Sequence, residues 1–238
     1  MHANRRKFAL TLLAAPLLPA GCAFQPLPAL RTEPAPAPAT VPAVRAPAVG
    51  QRWTYRKVNG YNSALLATET DEVVAVQPRV LVRRRSDAAG SAVAEEQQQP
   101  WGGMLRDPSW DHVQNYETPL PMWPADLSPG ARSVYRGHYR IDGFSTRYWI
   151  SAHTQVHGWE QVTLPGGVQR ALRIEHFIRL QHHDHARIET TRRDTLWLAP
   201  EIGRWVARET TGQYLVPSDP GAFRGDEAHH RWELVSWT

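Results

Sequence analysis

The chain has 238 residues, of which 42% are hydrophobic and ten are Trp, and this composition excludes wholesale disorder. A single Cys excludes a disulfide scaffold and any Cys-rich metal site. The formal charge of +4 falls to about +1 once the basic residues of a cleaved leader are removed, so the charge gives no indication of nucleic-acid binding.

The first 21 residues have the pattern of an export signal. Arg5, Arg6 and Lys7 form a positive region, and an apolar run from Phe8 to Ala20 follows. This run is too short to cross a membrane as a helix, which needs about 20 apolar residues. Residues 1–21 are therefore predicted to be a signal peptide.

The only Cys follows directly. Leu18-Pro19-Ala20-Gly21-Cys22 resembles the lipobox of bacterial lipoproteins, and the resemblance implies cleavage before Cys22 and attachment of lipid, palmitate included, to that residue. Two or more acyl chains would anchor the protein stably to a membrane. The alternative is an ordinary signal peptide cut elsewhere, which leaves Cys22 as a free thiol.

Two further features bear on the export route and on the membrane in which the protein is anchored. Arg5-Arg6 followed by Phe8 resembles a twin-arginine signal, although a general secretory signal with two Arg fits equally. Ala23 takes the place of the Asp that retains enteric lipoproteins at the inner membrane. This resemblance favours an outer-membrane anchor facing the periplasm.

Residues 22–48 are predicted to be the lipidated Cys and a tether. Pro26 to Ala48 holds seven Pro and seven Ala, a composition that favours extended polyproline geometry. At about 3.1 Å per residue, this segment would reach roughly 70 Å. A leader without a spacing role is the alternative.

Residues 49–238 are predicted to form a single β-domain. Apolar and charged residues alternate around Trp53 and Tyr55, in residues 135–142 and in residues 172–180. No long amphipathic helix is evident. The pattern predicts a mainly β fold, an antiparallel curved sheet forming a half-open barrel or a sandwich, with little helix outside the signal segment.

Turn residues separate these alternating segments, notably Pro165-Gly166-Gly167 and Pro200-Glu201-Ile202-Gly203. Residues 86–131 are less regular, and we expect a weak strand and then a long irregular crossover. Its three Trp residues should fold onto the sheet: Trp101, Trp110 and Trp123. Residues 50–56 match residues 130–136 at four of seven places, which indicates either a duplicated half-domain or chance.

Three segments are similar to a group of uncharacterised exported proteobacterial lipoproteins. They are the strand opening at residues 49–55, the strand–turn–strand at residues 162–175 and the Trp/Pro/Gly hairpin at residues 195–206. The resemblance implies the curved, half-open β-barrel of periplasmic lipoprotein carriers. It implies no activity, because a fold alone cannot assign one.

Histidine clusters are the first candidates for chemistry. His182-His183-Asp184-His185 has metal-ligating residue types, but it lies between two strand patterns, where a hairpin tip is expected. His229-His230 is a weaker candidate of the same kind. His176 lies on an apolar stripe, which favours a hydrogen-bonded core histidine over a catalytic base. We predict no metal.

Catalytic motifs are absent from the sequence. Residues 143–147 lack the last glycine of a nucleophile elbow, and no phosphate or dinucleotide loop is found. Glu69, Asp71 and Glu72 are interpreted as a solvated strand face. We therefore expect a protein without catalytic residues and without a cofactor.

The Trp residues leave the function open. Trp53, Trp149, Trp197 and Trp232 could line an apolar groove, or they could be core material. The first hypothesis is a membrane-anchored, non-enzymatic module that binds an apolar ligand or an envelope protein. The alternatives are a structural or assembly lipoprotein without a small ligand, and a hydrolase with a triad that is not visible in sequence.

Overall fold

The computed structural model describes residues 29–218 and 221–238. This part of the chain contains fourteen β-strands and no helix, which confirms the mainly β prediction. The strands are β1 Thr32–Pro34, β2 Arg52–Asn59, β3 Leu65–Ala75, β4 Val80–Ser86, β5 Ala94–Gln98, β6 Gly103–Asp107, β7 Gln114–Pro121, β8 Arg132–Ile141, β9 Tyr148–Leu164, β10 Gly167–Leu180, β11 Glu189–Ala199, β12 Arg204–Ser218, β13 Gly221–Asp226 and β14 His230–Trp237.

Twelve of these strands form one closed antiparallel ring. Strands β2 to β12 follow one another in chain order, β14 comes next, and β14 pairs with β2. Strands β1 and β13 lie outside the ring, paired with β9 and β12. The long strands bend where their register shifts, at Arg173/Ile174 and at Trp197/Leu198. The sheet therefore curls until it closes, beyond the half-open form expected from the sequence.

The alternating stripes place one side of each strand inside the ring. Trp53 and Tyr55 are buried, whereas Arg52 and Arg56 are exposed on the same strand. The two glycine-containing hairpins occur as predicted: residues 165–166 link β9 to β10, and residues 200–203 link β11 to β12. Gly203 has a positive φ of 80°, a conformation that glycine adopts without steric cost.

Residues 86–131 differ from the expectation of an irregular crossover. Strands β5, β6 and β7 occupy this segment and complete the ring between β4 and β8. Their short lengths and several prolines hide the alternation that longer strands display. The predicted placement of Trp101, Trp110 and Trp123 is confirmed, because all three are partly buried against the core.

The two halves of the ring begin in the same way. Gly50 and Gly130 have φ values of 87° and 90°, and their N–H groups donate to the carbonyls of Val73 and Val156. The amides of Val73 and Val156 donate back to the residue after each glycine. Six ring strands follow each of these turns. This equivalence favours duplication over chance as the origin of the sequence match.

The segment predicted to be a tether lies partly along the barrel. Strand β1 pairs with Val162 and its neighbours, and the Arg45 N–H donates to the carbonyl of Pro200 at 2.8 Å. Ala35 and Val44 pack against a hydrophobic cluster that includes Trp159. Parts of residues 31–45 therefore lie against the outside of the ring.

Candidate functional site

A cluster of charged side chains lies inside the ring. Arg204 donates to Asp71 at 2.7 Å and to Glu96 at 3.0 Å, and Arg84 donates to Asp71 at 2.8 Å and 2.9 Å. Glu69 accepts a hydrogen bond from the indole of Trp232 at 2.9 Å. We call Glu69, Asp71, Arg84, Glu96 and Arg204 the central ion-pair cluster. It joins β3, β4 and β5 to β12 across the interior.

The prediction that Glu69, Asp71 and Glu72 form a solvated face is wrong for two of the three. Glu69 and Asp71 are buried and face inward, and only Glu72 lies outside, beside Arg52 and Arg85. Burial alone would raise the pKa of Asp71, but Arg84 and Arg204 outweigh burial and hold it below its usual value. The carboxylate is therefore a fixed structural anion.

A second buried pair lies nearby. Arg208 donates to Asp194 at 3.0 Å, and both side chains are buried. His176 lies between Thr154 at 2.8 Å and the carbonyl of Met122 at 2.9 Å. Both ring nitrogens of His176 are occupied, and burial lowers its pKa. The prediction of a hydrogen-bonded core histidine is confirmed.

The Trp residues named as groove candidates divide between core and surface. Trp53, Trp197 and Trp232 are buried, whereas Trp149 is 43% exposed. The interior space beside His176 leaves about 30 Å³ for water, enough for one or two molecules. A drug-sized ligand needs several hundred Å³. This space therefore has no room for an acyl chain, and the three buried Trp side chains belong to the hydrophobic core.

A second space lies where several strands begin or end. It is lined by side chains from the loops before β7, after β10 and after β13, and by side chains of the strands β7, β8 and β11. We call it the histidine pocket, and it is lined by Trp110, Asp111, His112, Gln114, Tyr139, Ile141, His182, His183, Arg192 and Glu227. Trp110 also lines the interior space, so it lies between the two.

Three imidazoles of this pocket touch one another. The ring centroids of His112 and His183 are 4.4 Å apart, and those of His182 and His183 are 4.1 Å apart. The sequence placed His182 and His183 at a hairpin tip, which the β10–β11 connection confirms. Their contact with His112, some 70 residues earlier, was not predicted.

The electrostatics of the histidine pocket keep His182 and His183 neutral. Burial, together with His183 and Arg187, lowers the pKa of His182 to about 4. Burial and then His112 lower the pKa of His183. Burial also raises the pKa of Glu227, although Arg192 opposes that rise. At neutral pH the uncharged rings can donate or accept one hydrogen bond at each nitrogen.

Arg192 is the most unusual member of the pocket. Its side chain is buried, and its guanidinium carbon lies 4.0 Å from the centroid of the Trp110 ring. Its Nε is shielded from water and has no hydrogen-bond partner. Among residues 29–218 and 221–238, no carboxylate oxygen lies within 4.0 Å of its guanidinium nitrogens.

The remaining candidates from the sequence have structural surroundings. His229 lies 2.6 Å from Glu209, and His230 packs edge-on against Trp232. Burial and Lys57 lower the pKa of His230 to about 4. Ser145 is exposed in the β8–β9 loop. Cys22, the predicted lipid site, lies outside the described residues.

The described residues hold neither a ready metal site nor a membrane-spanning helix. They contain no group of three or more His, Cys, Asp or Glu side chains placed to hold a metal ion. They also contain no helix that is long and apolar enough to cross a membrane.

Comparison with known proteins identifies a shared fold and no sequence family. No family model matches the chain, and no curated protein matches it. A crystal structure of a candidate lipoprotein from Parabacteroides distasonis superimposes with a TM-score of 0.50 at 13% identity, covering 81% of this chain and 97% of that one. An exported-protein candidate with a YmcC-like fold from Bacteroides fragilis gives a TM-score of 0.49 at 14% identity, covering 83% and 99%. The fold of this chain therefore also occurs in the protein from Parabacteroides distasonis.

The sequence did not predict that Trp110, His112 and Arg192 come together with His182 and His183 in the histidine pocket. Trp110 and His112 belong to a segment predicted to be irregular, and Arg192 is one of many arginines in a strand-like stripe. A usable signal does exist in β11, where Arg192 and Asp194 share the inward face with Leu196. Charged residues at inward positions of an alternating strand indicate either buried ion pairs or a ligand site.

Proposed function

We propose that this chain is a lipid-anchored protein of the cell envelope whose barrel is a non-enzymatic binding module. The proposal combines the lipobox resemblance at Cys22 with a fold that also occurs in a protein described as a candidate lipoprotein. An outer-membrane anchor facing the periplasm is part of the proposal, and it follows from Ala23.

A binding role is supported by the difference between the central ion-pair cluster and the histidine pocket. The central ion-pair cluster is closed upon itself, with each carboxylate in contact with an arginine. In the histidine pocket, by contrast, the buried guanidinium of Arg192 has no carboxylate within 4.0 Å among the described residues. A buried charge that faces a pocket without an opposite charge is typical of a binding site.

A role without catalysis is supported by the state of the buried titratable groups. Asp71 and Asp194 are bound to arginines, and both nitrogens of His176 are engaged. None of these groups is free to take a proton from a substrate. The hydrolase alternative would need a nucleophile beside a free base.

The apolar ligand of the first hypothesis has less support than a polar ligand or an envelope protein. An acyl chain needs a continuous apolar cavity, and the interior leaves about 30 Å³. A structural or assembly role without a small ligand is the second candidate. The exposed apolar side chains Val134, Trp149 and Phe177 on neighbouring strands favour it.

Native mass spectrometry of the full-length protein, extracted from its own envelope in mild detergent, tests the proposal. We expect the lipidated chain together with a population that carries a further bound molecule or partner. A spectrum that contains only the lipidated chain would contradict a binding module and leave the structural role ahead. An unmodified Cys22 would contradict the anchor separately.

A further inference from the structure

Five arginines are buried in the described part of the chain, and four of them contact a carboxylate directly. Arg84 pairs with Asp71, Arg204 with Asp71 and Glu96, Arg208 with Asp194 and Arg231 with Glu233, at distances of 2.5–3.0 Å. Arg192 is the fifth, and it is only 6% exposed.

Arg192 departs from the pattern of the other four. No carboxylate of the described residues lies within 4.0 Å of it. Its Nε lacks a hydrogen-bond partner, as the Nε of Arg204 also does, but Arg204 has two carboxylates at its other nitrogens. A buried guanidinium without an anion is costly, because the charge gives up hydration without gaining an opposite charge. The carboxylates of Glu227 and Asp194 offset part of that cost through longer-range electrostatic attraction to Arg192.

We propose that the histidine pocket binds a carboxylate group and that Arg192 is the residue that anchors it. This inference rests on the proposed binding function and names the chemistry of its ligand. The planar guanidinium presents paired N–H donors that match the two oxygens of a carboxylate. The N–H groups lie in the plane of the guanidinium, so the stacking of Trp110 on its face at 4.0 Å leaves the edge available for hydrogen bonds.

The size of the pocket limits what enters it. About 30 Å³ is free for water, which fits a carboxylate group and excludes a bulky head group. The remainder of a larger ligand would lie outside, past the imidazoles of His182 and His183. Their lowered pKa values keep these rings neutral, so each can donate a hydrogen bond to an oxygen without adding charge.

The charge of the pocket selects a singly charged ligand. Glu227 and Asp111 also line the space, and Arg187 lies 3.9 Å from Glu227. Arg192 is the single Arg or Lys among the lining residues, so a second negative charge on the ligand would meet these carboxylates without gaining a further cation. The site is therefore suited to one negative charge at Arg192.

Isothermal titration calorimetry with the full-length protein in detergent, at constant ionic strength, tests the inference. Propionate represents a free small acid, and N-acetylalanine represents the carboxyl end of a larger molecule. N-acetylalaninamide is the uncharged match for the second probe, and phosphate, titrated at about pH 8 where it is mainly the dianion, is the doubly charged one. We expect saturable binding of one or both carboxylates and roughly tenfold weaker binding, or none, for the amide and for phosphate.

Two variants locate the site. Arg192→Met removes the anchor, and it should weaken carboxylate binding by roughly tenfold or more. Arg179→Met is the matched control, because Arg179 is exposed on the neighbouring strand, contacts Glu189 at 3.2 Å and lines no space that Arg192 lines. It should bind as the wild type does. A circular dichroism spectrum of each variant confirms that the strands are retained.

The outcomes separate the alternatives. Binding of propionate alone would identify a small acid, and binding of N-acetylalanine would identify a carboxyl end of a larger molecule. Equal binding by the Arg192→Met variant, equal binding of the amide, tighter binding of phosphate than of either carboxylate, or no carboxylate binding at all would overturn the inference. Native mass spectrometry can still find a partner in that case, so the proposed function fails or stands separately.

Discussion

Arg204 and Asp71 lie 133 positions apart in the chain, and their side chains meet at 2.7 Å inside the ring. Asp71 belongs to the first half of the ring and Arg204 to the second. Glu96 contacts the same guanidinium at 3.0 Å. The two halves are therefore joined by buried charges as well as by the backbone hydrogen bonds at their edges.

Removing one partner of this contact should destabilise the fold strongly. We expect Asp71→Asn to lower the free energy of unfolding by about 3–5 kcal/mol, because it leaves Arg84 and Arg204 buried with one anion fewer. Glu72→Gln is the control, since that residue contacts only exposed arginines and should cost less than about 1 kcal/mol. Urea unfolding curves of both variants give the comparison, and equal losses would contradict it.

Replacement of Arg208 and replacement of Arg192 should change the free energy of unfolding by different amounts. Arg208→Met leaves Asp194 buried and unpaired, so we expect a loss of about 3–5 kcal/mol. Arg192→Met removes a guanidinium that has no direct carboxylate partner, so the loss should be smaller, at most about 2 kcal/mol from the lost stacking on Trp110. A loss as large as that of Arg208→Met would reveal a further structural partner for this side chain and count against a ligand.

The histidine pocket should contribute to acid sensitivity. The pKa of His182 is about 4 in the folded chain, against about 6.5 for a free histidine. Between these values the unfolded chain binds a proton that the folded chain does not, so the free energy of unfolding falls as the pH falls from 6.5 to 4. His182→Asn should make that fall shallower.

The control for this prediction is His185→Asn, in the same connection but exposed. Chemical unfolding at pH values between 4 and 7 provides the measurement. His183 and His230 also have lowered pKa values, so the slope should decrease without vanishing. A slope that is unchanged in the His182→Asn variant, or steeper, would contradict the assignment.

The sequence predicted those parts of the fold that depend on alternation and on turn chemistry. Stripes such as Trp53 and Tyr55 identified the sheet, and the glycine turns at Gly166 and Gly203 identified its hairpins. Closure of the ring was not predictable from such patterns, because it depends on the pairing of β14 with β2, which are separated by nearly the whole domain. Local patterns carry no information on such distant pairing.

The inward charges were missed for a related reason. Glu69 and Asp71 alternate with Thr70 and Glu72, so either set could face the solvent when the strand is considered alone. Their partners, Arg84, Glu96 and Arg204, come from other strands. Which face is buried follows from the apolar residues of the same strand, and here Val73 shares the inward side with Asp71.

The N-terminal segment should contribute stability without being required for folding. A chain beginning at Val49 loses β1 and the contact of Arg45 with Pro200, and it uncovers a cluster that includes Trp159 and Leu198. We expect its circular dichroism spectrum to keep the β-sheet signal, while its melting temperature falls by several degrees. A helical spectrum, two separate melting transitions or an unchanged melting temperature would each contradict this prediction.

The membrane anchor is predicted to depend on Cys22. The residue follows a short apolar run and Ala20-Gly21, and it is the only Cys in the chain, so its replacement removes every thiol. Cys22→Ser should move the protein from the membrane fraction to the soluble fraction of fractionated cells, because at least two acyl chains are needed for stable anchoring. Ala23→Asp keeps the Cys and should stay in the membranes, shifted from the outer to the inner one. A Cys22→Ser protein that sediments with membranes as the wild type does would show that the anchor lies elsewhere.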